Sequence, residues 1–227
     1  MNFLHDCTAF VFDMDGLLFD TERLSRRALH AAADEMGVPL PEDAFFELIG
    51  RRMRDIRAKL AIRVGDAALA TRLLESSEKH YQAYLDEGVP IKDGAPELLA
   101  WLSSQGRPCA VATSTHTTKA EHKLTSAKLR GHFHAVIGGD QVERGKPAPD
   151  VYLRAVSALG VAAADCGVFE DSEPGLHAAH AAGARVVWIP DLAPVNAQTQ
   201  KLALAKANSL RDVLKFLKSA EHVSRKR

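Results

Sequence analysis

Five short apolar runs, Ala9 to Phe12, Pro108 to Thr113, Ala135 to Ile137, Gly167 to Glu170 and Arg185 to Ile189, constrain the fold of this chain more than any other feature. Each is of strand length, and most lead through polar or glycine-containing residues into a helical pattern. Strands buried on both faces read as continuous apolar runs, and strands that alternate with helices pair in parallel, because the crossover helix covers the sheet. The stretch after Asp93-Gly94 shows the helical half of the unit: Pro96 suits a first helical turn, and Leu98, Trp101 and Leu102 share one face. The expected fold class is α/β, with a doubly wound parallel, Rossmann-like sheet.

The alternation breaks once. Between the first run and Pro90 lie about seventy residues with helical periodicity and no convincing strand, too many for a loop in a compact domain. Helices are expected from about Thr21 to Met36, Glu42 to Leu48, Arg51 to Arg63 and Asp66 to Asp86, with breaks at Gly37-Val38-Pro39 and Gly88-Val89-Pro90. Residues 18–88 are therefore expected as an all-helical cap domain inserted after the first strand. Residues 1–17 and 89–227 then form the core, with the cap over the carboxyl edge of the sheet, where α/β proteins place ligands.

Composition narrows the class further. At 227 residues the chain can bury a sizeable core, and its 29 basic residues balance 29 acidic ones, so no bulk positive field draws it to nucleic acid. Cys7, Cys109 and Cys166 stand far apart in apolar stretches, an odd count without CxxC spacing, and read as buried thiols in a reducing compartment. The first residues lack a signal-peptide pattern and no run approaches the roughly 18 apolar residues of a membrane span, so a cytoplasmic protein without membrane contact is expected. The basic end Ser224-Arg225-Lys226-Arg227 reads as a solvated tail.

Chemistry gathers where the apolar runs end. The first leads into Asp13-Met14-Asp15-Gly16, and residues two apart at a strand end point to the same side, so two carboxylates can face one site. Such a pair repels unless a cation lies between its members or one stays protonated, which implies metal binding, acid–base pairing or both. Alone, the same motif also serves as a turn or a helix cap. Thr113-Ser114-Thr115 offers hydroxyls and backbone N–H groups suited to phosphate oxygens, or to an N-cap. Lys146-Pro147-Ala148-Pro149 sets a lysine in a loop stiffened by two prolines, and Glu170-Asp171-Ser172 ends another run with adjacent hard oxygen ligands of the kind Mg²⁺ prefers.

In order along the chain, Asp13-Met14-Asp15-Gly16, Thr113, Lys146-Pro147 and Glu170-Asp171 resemble the four motifs of the haloacid dehalogenase-like superfamily, within the branch that contains β-phosphoglucomutase and related sugar-phosphate phosphatases. The resemblance runs from Phe10 to about Pro190. It implies Mg²⁺ as cofactor, with Asp13 as a nucleophile that becomes a phosphoaspartate, Asp15 as general acid and then base, and Lys146 offsetting charge. It places Thr113 and Ser114 around the phosphoryl group, and makes Asp13, Asp15 through its backbone carbonyl, Asp171 and Glu170 the metal ligands, Glu170 directly or through water. Arg51 or Arg52 can contact substrate or be solvated, and of the two Arg52 is taken as the substrate contact. The substrate implied is a small phosphorylated metabolite such as a sugar phosphate, and a monomer or weak dimer is expected.

Dehalogenases of the superfamily lack the second aspartate, which Asp15 keeps here. The related mutases place a histidine where Ser25 stands and a lysine where Ile49 stands, so phosphatase is favoured over mutase. A non-enzymatic phosphate-binding or signalling protein, such as a receiver domain, is the reading from another class; its shorter chain without a helical insertion fits less well. His177 with His180 and His132 with His134 stand outside the four motifs, and Trp101 and Trp188 read as core.

Overall fold

The computed structural model of the chain describes residues 1–41, 44–45, 48 and 53–224. Its elements run β1 (Ala9–Phe12), α1 (Thr21–Glu35), α2 (Met53–Val64), α3 (Ala67–Glu87), α4 (Ala95–Ser104), β2 (Cys109–Ala112), α5 (Thr117–Ser126) and β3 (Ala135–Ile137). There follow α6 (Asp150–Leu159), β4 (Cys166–Glu170), α7 (Glu173–Ala181), β5 (Arg185–Trp188), α8 (Ala197–Gln200), β6 (Ala205–Lys206) and α9 (Leu210–Ser224). They divide into two compact units, Met1–Phe19 with Ile91–Arg227, and Asp20–Pro90.

The first unit is a six-stranded sheet in the order β3-β2-β1-β4-β5-β6, with every neighbouring pair parallel. β1 lies centrally because Ala9, Phe10, Val11 and Phe12 carry no polar side chain, and all four are fully buried. Strands of that kind need cover on both faces. Phe169 of β4 stacks on Phe10 and meets Phe12 at a tilt of 43°, with ring centroids 5.7 and 4.9 Å apart. After β1 the chain builds outward through β2 and β3, then returns to β4 on the other flank of β1. In open α/β sheets such a reversal is the place for a ligand site, here at the carboxyl ends of β1 and β4.

β6 was not expected from the sequence. The stretch from Leu202 to Leu217 reads as a helical packing face, yet Ala205 and Lys206 pair with Val187 and Trp188, and the helix begins only at Leu210. A two-residue edge strand is too short to impose a period. Trp188 is buried, whereas Trp101 is only half-buried.

In the second unit α1, α2 and α3 enclose their own apolar cluster, which includes Leu29, Ala33, Leu60, Ala70 and Leu73. Asp66 caps α3 by accepting from the N–H groups of Ala68 and Leu69 at 2.7 and 3.1 Å. Glu35 at the end of α1 accepts from Ser76 of α3 at 2.9 Å. The short helix expected between Glu42 and Leu48 falls mostly outside the described residues. The insertion enters and leaves beside itself: Phe19 bridges Ile91, the N–H of Asp20 donates to the carbonyl of Pro90 at 2.8 Å, and that of Lys92 to Leu18 at 2.9 Å. Among the described residues no helix is long and apolar enough to cross a membrane.

Candidate active site

Backbone pairing carries each strand one residue further and so sets the polar residues at the edge of the sheet. The N–H of Asp13 donates to the carbonyl of Phe169 at 3.1 Å, and that of Thr113 to Ile137 at 3.0 Å. Asp13, Thr113, Glu170 and Asp171 are all buried, although each is polar or charged. Burial of this kind requires partners.

The partners are specific. Lys146, carried on the loop before α6, places Nζ 2.5 Å from Asp13 Oδ1 and 2.7 Å from Glu170 Oε1. Tyr152, in the first turn of α6, donates its hydroxyl to the same Glu170 oxygen at 2.8 Å. The other oxygen of Glu170 accepts from the backbone N–H and the hydroxyl of Ser172 at 2.9 and 3.0 Å. Ser172 in turn caps α7 by accepting from the N–H of Gly175 at 3.2 Å, with Pro174 in the first turn. The backbone of Gly175 presses on Glu170 so closely that a Cβ there would lie 1.6 Å from Oε1.

These contacts sort the charges. Burial disfavours the Glu170 charge, but Lys146, the Ser172 N–H and the Tyr152 hydroxyl together hold its carboxyl below the usual carboxylate range. Burial likewise works against the Lys146 ammonium, and Asp13 and Glu170 overcome it and raise its pKa. Burial pushes the Asp13 carboxyl up, against the pull of Lys146 and with the help of Glu170 and Asp15. Tyr152 is raised well above its usual value by burial and by Glu170, so it remains a donor.

Asp13, Glu170 and Asp171 each offer an oxygen within 4.8 Å of the other two. Three hard carboxylates at that spacing, of whose charges Lys146 offsets one, suit a small divalent cation such as Mg²⁺. The backbone keeps this place open. Gly16 sits at φ +89°, and a Cβ on it would lie 2.3 Å from Asp171 Oδ2. With four donors already on Glu170, Asp13 and Asp171 are the more available ligands of the three.

Asp15 is turned elsewhere. Its Oδ1 accepts from Lys123 Nζ at 2.7 Å and its Oδ2 from the Thr115 hydroxyl at 2.6 Å, so its side chain stands outside the carboxylate cluster. The Thr113 hydroxyl accepts from the N–H of Thr115 at 3.1 Å, and Ser114 is exposed. Arg51 and Arg52 lie outside the described residues. His177 meets Thr199 and His132 meets Ser103, each at 3.1 Å, apart from the cluster. Sequence reasoning missed Tyr152 and Lys123, and it read the Thr115 hydroxyl as a phosphate contact or N-cap where the structure has it donating to Asp15. One signal for Lys123 existed, since it shares a helix face with Ala120 and Leu124, which are buried.

The profile of the haloacid dehalogenase-like hydrolase family matches residues 10–189. The chain is 33% identical over 184 residues to the phosphorylated carbohydrates phosphatase of Thermotoga maritima, covering 79% of this chain and 83% of that one. It is 35% identical over 177 residues to the fructose-1-phosphate phosphatase YqaB of Escherichia coli, covering 76% and 91%. Among solved structures, a HAD family hydrolase from Deinococcus radiodurans with bound phosphate and sodium superposes with a TM-score of 0.82 at 26% identity, covering 95% and 97%. With the parallel sheet and the motif residues gathered at its carboxyl edge, these matches mean that the chain belongs to the haloacid dehalogenase-like hydrolase family.

Proposed function

We propose that this protein is a Mg²⁺-dependent phosphatase that hydrolyses a small phosphorylated metabolite, a sugar phosphate or a close relative, through a phosphoaspartate on Asp13. The observation that carries the reading is the Lys146 ammonium held between Asp13 and Glu170 beside the Asp171 carboxylate. The enzyme class follows the relatives, and the substrate class follows the names of two of them, a phosphatase of phosphorylated carbohydrates and one of fructose 1-phosphate.

An oxygen of Asp13 attacks phosphorus, and the ester P–O bond breaks as Asp15 gives its proton to the departing alcohol oxygen. Lys146 lowers the repulsion between the anionic nucleophile and the phosphate. Asp15, now ionised, takes a proton from water, whose oxygen attacks the phosphoaspartate. The Asp13–phosphate bond breaks, phosphate leaves, and both aspartates return to their first state. Thr113, whose hydroxyl already accepts from Thr115, keeps its own proton to donate to a phosphoryl oxygen, next to Ser114. Mg²⁺, held by the carboxylates of Asp13 and Asp171 and the carbonyl of Asp15, would neutralise phosphate charge when bound. The helical unit of residues 20–90 is assigned the choice of substrate.

The test is phosphate release from a panel of sugar phosphates, nucleotides and phosphoglycolate, with and without Mg²⁺, by wild type and Asp13→Asn. Magnesium-dependent release that disappears in Asp13→Asn is the expected result. Release that survives the substitution removes Asp13 as nucleophile.

A further inference from the structure

Lys123 is an unusual residue for its place. It lies in the second half of α5, on the face that also carries Ala120 and Leu124, and its side chain is only 7% exposed. An ammonium is strongly hydrated, so taking it out of water on an apolar helix face is unfavourable unless an anion meets it. The anion is Asp15, whose Oδ1 lies 2.7 Å away while its side chain remains 26% exposed.

The geometry explains how a residue so far along the helix reaches the end of β1. Side chains on a helix lean toward its N-terminus, and Lys123 lies six residues after Thr117, a rise of about 9 Å that the lean and a long stem together span. α5 begins directly after the Thr113-Ser114-Thr115 loop. Thr115 meets Asp15 from that side: its hydroxyl donates to Oδ2 at 2.6 Å, its N–H donates to Thr113 Oγ1 at 3.1 Å, and its carbonyl accepts from the N–H of Gly139 at 3.1 Å. Each oxygen of Asp15 thus accepts from a donor that is anchored on the β2–α5 segment. The carboxylate is oriented by that segment as well as by its own strand.

We propose that Lys123 is a positioning residue for Asp15: with Thr115 it holds the carboxylate in the orientation from which Asp15 exchanges protons with the leaving alcohol and the hydrolytic water. The assignment rests on the phosphatase reading above. Lys123 meets the reaction through Asp15, whereas Lys146 meets the nucleophile directly.

The test is a double-mutant cycle in the full-length protein, with Lys123→Met and Asp15→Asn singly and together, read as kcat and KM on an alkyl phosphate ester and on p-nitrophenyl phosphate. Lys123→Met is expected to lower kcat on the alkyl ester about tenfold or more with KM within about twofold. The loss is expected to be smaller on p-nitrophenyl phosphate, whose leaving group departs without a proton. In the Asp15→Asn background the same substitution is expected to change kcat less than twofold, and Lys123→Arg to restore part of the rate. Losses that multiply in the double variant, or a kcat unchanged by Lys123→Met, overturn the assignment. Thr115→Val, which removes the second donor to Asp15, follows the same cycle and replaces Lys123→Met if that variant does not fold. The two readings fail separately: turnover that survives Asp13→Asn removes the nucleophile, whereas multiplied losses with turnover still dependent on Asp13 remove Lys123 alone.

Discussion

Lys146 and Tyr152 converge on a single oxygen of Glu170, at 2.7 and 2.8 Å, so the phenol fixes the carboxylate that in turn fixes the ammonium. Lys146→Ala leaves the buried Asp13 and Glu170 carboxylates without their shared cation. It is expected to cost about 3–5 kcal/mol in stability and to weaken turnover even at saturating Mg²⁺. Tyr152→Phe removes one of four donors to Glu170 and should cost about 1–2 kcal/mol, with kcat falling less than tenfold. Urea unfolding and steady-state kinetics on both variants check the order, and a Tyr152→Phe variant less active than Lys146→Ala would contradict it.

Asp13→Asn should separate activity from stability. One of three clustered carboxylates becomes neutral, so the metal-free protein is expected to melt at the same temperature or higher. Turnover is expected to fall on the order of a thousandfold or more. Mg²⁺ is expected to raise the Tm of the wild type more than that of Asp13→Asn, which lacks one of the proposed ligands. Melting curves in EDTA and in millimolar Mg²⁺ measure both effects.

Gly16→Ala tests how closely the turn after β1 approaches Asp171, a proposed metal ligand. The residue must adopt φ +89° with a Cβ 2.3 Å from Asp171 Oδ2, so the carboxylate has to move. Backbone strain of about 1–2 kcal/mol is expected. Mg²⁺ affinity, titrated by calorimetry, should weaken roughly tenfold or more. Unchanged affinity would show that Asp171 does not hold the ion from this rotamer.

The cap of α3 gives the helical unit a dependence on acid. The N–H groups of Leu69 and Ala68 hold the Asp66 carboxyl below its usual value of 3.8. A lowered pKa means that the folded state binds this proton less readily than the unfolded one. The stabilisation is therefore complete above pH 3.8 and is lost as pH falls through the lower folded value. Asp66→Ala should lower Tm by a few degrees at pH 7, and the gap to wild type should narrow toward pH 2. Thermal melts across that range measure it.

Five of the six strands were legible because their interiors are apolar and most lead directly into a change of chemistry. The same property exposed Asp13, Thr113, Lys146, Glu170 and Asp171, which all stand at or just beyond strand ends or in the loop after β3. Tyr152 and Lys123 lie inside helices, where a tyrosine reads as core and a lysine as solvated stem. Only the buried neighbours of Lys123 on its face hint otherwise. Glu170 reads as a ligand in the sequence and does lie in the carboxylate cluster, but nothing in the sequence reveals that Ser172, Tyr152 and Lys146 also bond its oxygens. β6 escaped notice because its pairing is long-range and two residues long.

The ends of the insertion, Asp20 and Pro90, are hydrogen-bonded to each other. A segment whose two ends touch can be exchanged like a cassette: recombination that swaps residues 20–90 for another helical segment with adjoining ends leaves every strand of the sheet uncut. Mutation can then explore that segment freely while the residues around Asp13 stay as they are. A lineage built this way varies the insertion without disturbing the sheet edge that carries Asp13.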